Sequence, residues 1–425
     1  MEILRVSGGR KLSGSIEIQG AKNSVLPIMA AAMLTNGETV IHNCPRLRDV
    51  EVSINILKHL GRKVRREGRD VIIASSVITC NEIPDSLMRE MRSSVVFLGA
   101  ILAMNKAAEL SAPGGCELGP RPIDLHIDAI REFGGEVENF GGKLSVRMVK
   151  SWNTRSVRNI SFPITSVGAT ENAMLLAART PGRTNIINAA REPEIRDLSD
   201  FLNKIGTVCT GAGTGMITID YSPGPSDNAS LEHTIIPDRI VTATYLAAVA
   251  SAGGSAELKG SIADDLLPVI SALREMGCEI TSSDLGTTIF SPARLKACKP
   301  ISTKPYPGFP TDAQPPLLAA SLKAEGTTVF VENIFENRYR HIEELLRLGA
   351  DASVEGKTAF VHGVQRLRGA NTVAPDLRGG AALVVASLGA IGTSEISGTK
   401  HIKRGYERID YFLSMLNADV TYLDQ

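Results

Sequence analysis

One phrase recurs six times along the 425-residue chain and constrains the fold more than any other feature. It consists of the end of a helix, a glycine or asparagine, and then a strand, as in "LKHLGRKV", "IREFGGEV" and "LREMGCEI". The turn residues are Gly61, Gly134, Gly206, Gly277, Gly349 and Asn417, at intervals of 73, 72, 71, 72 and 68 residues. Glycine or asparagine suits the left-handed conformation that closes a helix before a strand. The spacing therefore predicts six structural units of nearly constant length.

Each unit contains two helices of different character. The first is apolar on nearly every face, as in "SVLPIMAAAML" and "IVTATYLAAVAS", whereas the second is amphipathic, as in "EELLRLG". Strand-like runs such as "TVIHN" and "TTVFVEN" separate them. This order predicts a β-α-β-α-β-β unit and an α/β (α+β) fold, with the apolar helices inside each domain and the sheets outside.

The repeat divides the chain into two domains of three units each. The boundary between the two domains lies near "HTIIPDRI", where a proline follows a strand-like run. Residues 22–236 are predicted to form the first lobe, which carries the segment around Cys116. Residues 1–21, whose repeat phase matches the last strand of another unit, are predicted to join residues 237–425 in the second lobe. A cleft between two such lobes is the expected place for an active site.

Charge and hydropathy exclude several classes of function. The 46 basic residues balance 46 acidic ones, so no overall field favours nucleic acid or an anionic membrane surface. The amino terminus lacks the apolar core of a signal peptide, and apolar runs such as "VVFLGAILAM" are too short to span a bilayer. Six cysteines without a C-x-x-C pair indicate reduced thiols. We therefore expect a cytoplasmic protein.

The sequence lacks the usual motifs for cofactors and metals. The stretch "GAGTGM" does not have the G-x-G-x-x-G spacing of a dinucleotide site, and there is no Walker loop. The seven histidines and the carboxylates show no metal-ligand spacing. We expect neither a cofactor nor a metal, and nothing in the sequence indicates an obligate protein partner.

A cysteine in the stretch "SAPGGCELGPRPIDLHI", residues 111–127, is the first candidate for chemistry. Cys116 follows two glycines, and Arg121 is close enough in sequence to stabilise a thiolate or bind an anionic substrate. A buried structural cysteine is the alternative, although glycines on one side and "ELGPRP" on the other are not typical of a core. His126 is either a base or a residue that orients the following helix, and the second role is the simpler one.

Charged residues precede several of the apolar helices. Lys22 and Asn23 begin one of them, where free N–H groups and the helix dipole favour an anion, and Arg92 precedes another. Taken alone, each of these residues could also be an ordinary solvated residue or a helix cap without a function. Asp312 precedes an apolar helix of the second lobe, where N-capping is the alternative to function. Further charged residues stand at Arg338, Asp376, Arg378 and Arg404. Convergence of these groups would suit a substrate with several anionic groups, because arginine recognises carboxylates and phosphates in a forked geometry.

Ten motifs in order make the chain resemble the enolpyruvyl transferase superfamily and, within it, the UDP-N-acetylglucosamine 1-carboxyvinyltransferase family. They are "GAKNSVLPI", "MRSS", "PGGCELGPRPIDLHI", "SVGATEN", "NAAREPEI", "PDRI", "PTDAQ", "FENRY", "APDLRGGAAL" and "HIKRGYERI". The resemblance covers essentially the full length. It implies a two-domain inside-out α/β barrel with three β-α-β-α-β-β units in each domain, in agreement with the repeats.

The resemblance also implies a reaction. The enolpyruvyl group of phosphoenolpyruvate is transferred to the 3-hydroxyl of UDP-N-acetylglucosamine with release of phosphate, as the first committed step of peptidoglycan synthesis. In this family the cysteine matching Cys116 is the general acid on a mobile lid loop, forms a covalent adduct with phosphoenolpyruvate and is alkylated by fosfomycin. Asp312 matches the candidate base beside the sugar hydroxyl.

The remaining roles are likewise implied by the resemblance. The residues that match contacts to phosphoenolpyruvate are Lys22, Arg121 and Arg404, and the one that orients both substrates is Asn23. Those that match the UDP-sugar site are Arg92, Arg121, Pro122, Ile123, Asp124, Leu125, Ser166, Val167, Gly168 and Ile334. A support network near the base is matched by Arg338, Asp376 and Arg378. The chain departs from the family at Lys403, where aspartate is common, and at "FPIT" before Ser166, where relatives have a basic residue.

Three other functions are compatible with the sequence. The 5-enolpyruvylshikimate-3-phosphate synthases share the fold but do not use the GGC lid motif. A catalytically retired paralogue would bind the sugar nucleotide and regulate wall synthesis, but a pure binder needs no proton donor such as Cys116. The third is transfer to another uridine nucleotide, which the altered stretch near Ile164 leaves open.

Overall fold

The computed structural model describes most of the chain. The described residues are 2–74, 76, 78–111, 123–223 and 230–424. They form two compact units, one made of residues 2–19 and 237–424 and the other of 20–111, 123–223 and 230–236. Within these stretches, no helix combines the length and the hydropathy required to cross a membrane.

Strands and helices alternate along both units. The strands are β1 Glu2–Ser7, β2 Leu12–Glu17, β3 Thr39–His42, β4 Lys63–Glu67, β5 Asp70–Ala74, β6 Glu82–Ile83, β7 Ala107–Ser111, β8 Gly135–Phe140, β9 Lys143–Met148, β10 Val157–Ser161, β11 Gly182–Ile187, β12 Val208–Thr210, β13 Met216–Tyr221, β14 Leu231–Thr234, β15 Gly254–Lys259, β16 Glu279–Ser283, β17 Gly286–Phe290, β18 Ile301–Ser302, β19 Thr327–Val331, β20 Asp351–Glu355, β21 Thr358–His362, β22 Asn371–Val373, β23 Thr393–Ser397 and β24 Asp419–Asp424. The α-helices are α1 Lys22–Ala31, α2 Arg48–His59, α3 Asp85–Glu90, α4 Phe97–Asn105, α5 Asp124–Glu132, α6 Val167–Ala177, α7 Pro193–Lys204, α8 Arg239–Ala252, α9 Leu267–Glu275, α10 Gln314–Ser321, α11 Ile342–Arg347, α12 Leu377–Leu388, α13 Thr399–Ile402 and α14 Ile409–Met415. Short 3-10 helices lie at Ala32–Leu34, Arg92–Val96, Ala263–Leu266, Thr311–Ala313 and Arg338–His341.

The described strands form six four-stranded sheets with one common design. Their orders are β14-β3-β5-β4, β6-β7-β9-β8, β10-β11-β13-β12, β16-β17-β15-β2, β18-β19-β21-β20 and β22-β23-β1-β24. The first two strands of the sheet β18-β19-β21-β20 are parallel and its other two pairs are antiparallel. Its chain order is β18-α10-β19-α11-β20-β21, which is the β-α-β-α-β-β unit that the repeat predicts. The predicted mixed α/β class is confirmed.

The first two strands of the chain pair with strands far away in sequence. Strand β1 lies between β23 and β24, antiparallel to both. Strand β2 is parallel to β15, whereas β14 takes the place beside β3. Both strands therefore lie in the unit that contains residues 237–424.

The apolar helices lie in the interior of each unit, as predicted. In one unit α1, α4 and α6 contact one another, and in the other α8, α10 and α12 do so. All eight residues of α10 are buried, and so are twelve of the 14 residues of α8. Gly99 lets α4 approach α6, because a Cβ there would lie 2.5 Å from the carbonyl oxygen of Asn172. Burial on every face explains why these helices lack the polar stripe of a surface helix.

The six turn residues of the repeat adopt the predicted left-handed conformation. The φ angles of the five glycines lie between 79° and 104°, and that of Asn417 is 66°. A residue with a Cβ is strained in this region unless it is asparagine or a similar short polar residue. Each amphipathic helix therefore ends where the sequence places its glycine or asparagine.

Candidate active site

Asp312 lies between two buried arginines in the unit that contains residues 237–424. It belongs to the 3-10 turn just before α10. One carboxylate oxygen accepts from Nη2 of Arg338 at 2.6 Å, and the other lies 3.1 Å from both Nε and Nη2 of Arg378. The side chains of the two arginines are 1% and 3% exposed, whereas that of Asp312 is 29% exposed. The two arginines thus fix the carboxylate of Asp312, and its exposed part remains accessible to a substrate.

The guanidinium of Arg338 is held by the backbone beside Asp312. Its Nε and Nη2 donate to the carbonyl of Thr311 at 3.2 and 2.8 Å, and it lies 5.3 Å from the centre of the Phe335 ring. The carbonyl of Arg338 accepts from Nδ1 of His341 at 3.1 Å. Burial lowers the pKa of His341 to about 4, with the charge of Arg338 acting in the same direction and Asp376 opposing it. His341 is therefore neutral near pH 7 and adds no further positive charge.

Arg378 lies in the first turn of α12 and ends a chain of hydrogen bonds. Asp376 caps this helix by accepting from the N–H groups of Arg378 and Gly379 at 2.9 and 3.0 Å. Nη1 of Arg378 donates to the Tyr406 hydroxyl at 3.1 Å, and that hydroxyl lies 2.8 Å from Oγ1 of Thr244. Burial would lower the pKa of Arg378, but Tyr406 and nearby carboxylates outweigh it and raise the pKa. The guanidinium therefore remains charged.

Gly405, the residue after Arg404, lies close to Arg378 in the same unit. A Cβ on Gly405 would come within 3.4 Å of Nη1 of Arg378. Gln19, which is 2% exposed, donates to the carbonyl of Gly405 at 3.2 Å and accepts from the N–H of Glu407 at 2.8 Å. These bonds fix the backbone that follows Arg404.

Lys403, one of the two departures from the family pattern, makes its own contacts. Its ammonium forms an ion pair with the carboxylate of Glu2 and lies 4.6 Å from the centre of the Tyr422 ring. Glu2 also accepts from Oγ1 of Thr399, at the start of α13, at 2.7 Å. The lysine therefore anchors the turn before Arg404 to strand β1, a contact that an aspartate there could not make with Glu2.

Lys22 is a buried cation in the other unit. It is the first residue of α1, and its Nζ lies 2.6 Å from Oδ2 of Asp49, in the first turn of α2. The side chains are 8% and 0% exposed. Asn23 follows Lys22 and is the only residue of α1 that is not buried. A cation with adjacent helix N–H groups is a favourable environment for an anionic group.

The starts of α5 and α6 lie together, which brings two groups of predicted substrate contacts into one region. His126 is 8% exposed, and its Nδ1 accepts from Nδ2 of Asn172 at 2.8 Å. Its ring packs so closely on Gly168 that a Cβ there would lie 3.1 Å from the imidazole. This supports the orienting role of His126. Ile123, Asp124 and Leu125 at the start of α5 therefore lie near Ser166, Val167 and Gly168 at the start of α6.

The "FPIT" departure precedes these contacts. Ser166 caps α6 by accepting from the N–H of Ala169 at 3.4 Å, and Oγ1 of Thr165 lies 3.1 Å from Oδ1 of Asn188. Ile164, in this stretch, is 66% exposed and offers an apolar side chain rather than a charged one.

Several predicted residues lie outside what the structure describes. They are Cys116, Arg121 and Pro122, together with the side chain of Arg92, whose backbone begins the 3-10 helix Arg92–Val96. Their roles stay predictions. Ile334, in contrast, is described and is 40% exposed.

The structure also identifies site residues that sequence reasoning missed. Asp49 pairs with Lys22, and Asn172 joins α6 to the carbonyl of Val95 and the N–H of Gly99 as well as to His126. The only sequence signal for Asp49 is an acid in the first turn of a helix, which is common. Asn172 stands in "SVGATEN", but an asparagine inside an apolar helix indicates only that a polar contact exists.

The described cations suit an anionic substrate. Among the residues that the structure describes, no group of three or more His, Cys, Asp or Glu side chains could hold a metal ion. The cations Lys22, Arg338 and Arg378 are all at least nine-tenths buried. Buried guanidinium and ammonium groups can orient and stabilise phosphate and carboxylate oxygens.

A buried glutamate in α6 leads to a prediction about stability. Glu171 is 7% exposed, and burial together with the charges of Glu194 and Glu192 raises its pKa well above the usual value. The folded protein therefore keeps a proton that the unfolded chain releases above about pH 4.5, so this group lowers stability as pH rises towards its folded pKa. Glu171→Gln should raise the melting temperature relative to the parent at about pH 8, and the difference should shrink near pH 4.5.

Thermal unfolding at several pH values checks this expectation. Glu138→Gln, at an exposed position of β8, is the matched control and should leave the melting temperature unchanged. A Glu171→Gln difference that is constant with pH would contradict the buried-proton explanation.

Comparison with known proteins reveals close relatives. The EPSP synthase family (3-phosphoshikimate 1-carboxyvinyltransferase) matches residues 6–412 of this chain. The protein named UDP-N-acetylglucosamine 1-carboxyvinyltransferase 2 from Caldanaerobacter subterraneus subsp. tengcongensis is 47% identical over 416 residues, which are 98% of each chain. UDP-N-acetylglucosamine 1-carboxyvinyltransferase 1 from Symbiobacterium thermophilum is 44% identical and covers 98% of this chain and 94% of its own.

Solved structures share the fold. The enolpyruvyl transferase NikO from Streptomyces tendae has a TM-score of 0.86 at 24% identity, with 99% of this chain and 98% of its own covered. The EPSP synthase from Acinetobacter baumannii has a TM-score of 0.75 at 15% identity over both full chains. These identities support a common fold and nothing finer.

Proposed function

Because this chain belongs to the EPSP synthase family, we propose that it transfers the enolpyruvyl group of phosphoenolpyruvate to the 3-hydroxyl of UDP-N-acetylglucosamine and releases phosphate. This would be the first committed step of peptidoglycan synthesis. The choice of acceptor rests on one observation. Relatives that are 39–47% identical to this chain over nearly its whole length are named for this reaction. The buried cations of both units agree with a pair of polyanionic substrates.

The reaction proceeds by addition and elimination in this proposal. The sugar oxygen attacks the central carbon of phosphoenolpyruvate while its methylene carbon receives a proton, which forms a tetrahedral phosphate ketal. Loss of a proton from the new methyl group and of phosphate then regenerates the double bond. Cys116 donates the proton to the methylene carbon, and Asp312 accepts the proton of the sugar hydroxyl.

Asp312 is suited to this role by its surroundings. Both of its carboxylate oxygens accept hydrogen bonds from guanidinium groups, so the carboxylate has no hydrogen-bond donor role to lose when it accepts a proton. Its 29% exposure leaves it accessible to a hydroxyl group. The same guanidiniums fix the direction in which the carboxylate faces, which lowers the cost of orientation in the transition state.

The cations stabilise charge that develops during the reaction. We assign the phosphate and carboxylate of phosphoenolpyruvate to Lys22, Arg121 and Arg404. The ammonium of Lys22 is buried and held by Asp49, so its position is fixed before the substrates bind. Asn23, beside Lys22, is assigned the orientation of both substrates.

The sugar nucleotide is assigned to the starts of α5 and α6 and to Ile334. Support for this assignment comes from the contact between His126 and Gly168, which places the two helix starts side by side. The proposal also places the reaction in the cytoplasm. The five described cysteines are free thiols, as is usual in a reducing compartment.

Phosphate release from phosphoenolpyruvate, with and without UDP-N-acetylglucosamine, tests the proposed function. Release that requires the sugar nucleotide, with a product heavier by the enolpyruvyl group in mass spectrometry, is the expected result. Sugar-nucleotide binding without any release would instead favour the regulatory paralogue. If neither binding nor release occurs, other uridine nucleotides should be tried as acceptors, because the stretch near Ile164 differs from the family pattern.

A further inference from the structure

Glu332 is a buried carboxylate that no part of the proposed mechanism uses. It follows β19 and is 2% exposed. In the described part of the chain, no lysine or arginine pairs with it. A buried carboxylate is costly unless hydrogen bonds replace its water. The contacts of Glu332 therefore indicate the structural role of this side chain.

Within the described residues, the hydrogen bonds that the Glu332 side chain accepts come from two segments of the candidate site. Oε1 accepts from the N–H groups of Ile334 and Phe335 at 2.8 and 3.0 Å. The hydroxyl of Thr311 lies 3.1 and 3.0 Å from the two carboxylate oxygens and donates to them. One side chain thus joins the segment of Ile334 to the residue before Asp312.

Thr311 transmits this contact to Asp312. Its hydroxyl is bound by Glu332, while its carbonyl accepts from Nε and Nη2 of Arg338. The same Nη2 donates to Oδ1 of Asp312 at 2.6 Å. The N–H of Phe335 donates to Glu332, and the Phe335 ring lies beside the guanidinium of Arg338. These contacts therefore form a closed ring. We call Glu332, Thr311, Phe335, Arg338 and Asp312 the Glu332 network.

A separate set of bonds anchors the residue after Glu332. The N–H of Asn333 donates to Oγ1 of Thr303 at 2.8 Å, and its Nδ2 donates to Oγ of Ser302 at 2.9 Å. Asn333 therefore fixes this segment to β18 without the help of Glu332. The role left to Glu332 is to set the distance between this segment and the Thr311 turn.

We propose that Glu332 is a positioning residue that holds Asp312 and the Ile334 backbone in one fixed relation. Asp312 is the assigned base and Ile334 an assigned contact of the sugar nucleotide, so this inference rests on the proposed function. Displacement of a catalytic group by about 1 Å can cost about 100-fold in rate. The Glu332 network holds the base and the acceptor site to the same side chain.

Three substitutions test the two branches of the network. Thr311→Val removes the hydroxyl and leaves the bonds from Glu332 to Ile334 and Phe335. It should lower kcat by roughly tenfold or more, with little change in KM for the sugar nucleotide. Glu332→Ala breaks both branches and should lower kcat and also raise this KM. Glu332→Gln keeps an oxygen for the two N–H groups and a polar contact to Thr311, so it should restore kcat to within about threefold of the parent.

Thr328→Val is the matched control. Thr328 is fully buried in β19, and its hydroxyl has no hydrogen-bond partner in the part of the chain that the structure describes, so the same substitution there removes no bond of the network. It should leave kcat and KM unchanged. Equal kcat in Thr311→Val and Thr328→Val, with both proteins folded by thermal melting, would overturn the inference.

Amide hydrogen exchange separates this inference from the proposed function. Glu332→Ala should speed exchange at the N–H groups of Ile334 and Phe335 whichever substrate the protein uses. If the parent has no transferase activity but the Glu332→Ala variant exchanges faster than the parent, the proposed function is refuted and the network is supported. An active parent whose Glu332→Ala variant keeps both slow exchange and normal kcat would refute the network alone.

Discussion

Asp312→Asn is expected to lower kcat by roughly 10²–10⁴-fold, the usual contribution of a general base. The amide cannot accept the proton of the sugar hydroxyl. Its NH2 group would also face one of the guanidiniums that now donate to the carboxylate, so the side chain would shift from its present position. Steady-state kinetics of phosphate release measure the effect, and KM for phosphoenolpyruvate should change far less than kcat.

Asp351→Asn provides the control for Asp312→Asn. Asp351 is an exposed residue of β20 in the same unit, and its substitution should alter neither kcat nor thermal stability. Melting curves of both variants distinguish loss of chemistry from loss of folding. An Asp312→Asn protein that is folded and keeps kcat within about threefold of the parent would exclude Asp312 as the base.

Cys116→Ala should lower kcat by a similar factor, roughly 10²–10⁴-fold, because the methyl group cannot donate a proton. Cys116→Asp should retain part of the activity, since a carboxyl can act as the acid. A free aspartate titrates near pH 3.9 and a free cysteine near pH 8.5, so the pH at which activity declines on the basic side should be lower in the Asp variant. Rate profiles across pH measure this shift.

Cysteine reactivity provides an independent check on Cys116. Fosfomycin should add covalently to the parent in the presence of sugar nucleotide, and mass spectrometry should locate the adduct on Cys116. Cys298→Ala, at a partly buried free thiol, is the control and should be alkylated like the parent. Full activity of Cys116→Ala would remove this residue from the mechanism.

The architecture could be predicted from the sequence because its signals are local. Periodicity along a helix and one glycine or asparagine at each turn depend on neighbours within a few residues, and they repeat six times. The apolar helices could be placed inside their units for the same reason, since a helix without a polar face must be buried. The ten motifs identified the family and the residues assigned to the site.

Side-chain pairing and strand order were decided by the tertiary structure alone. Nothing near Lys22 in sequence indicates Asp49 as its partner, and Asp312 binds arginines 26 and 66 residues away. Likewise, the sequence shows that Lys403 is unusual, but only the fold brings Glu2 to it. The repeat phase assigns residues 1–21 to the second lobe, but only the fold shows that β2 lies beside β15 and that β1 lies between β23 and β24. Such contacts depend on how distant segments pack, and a sequence pattern that repeats every few residues carries no information about which distant segment that is.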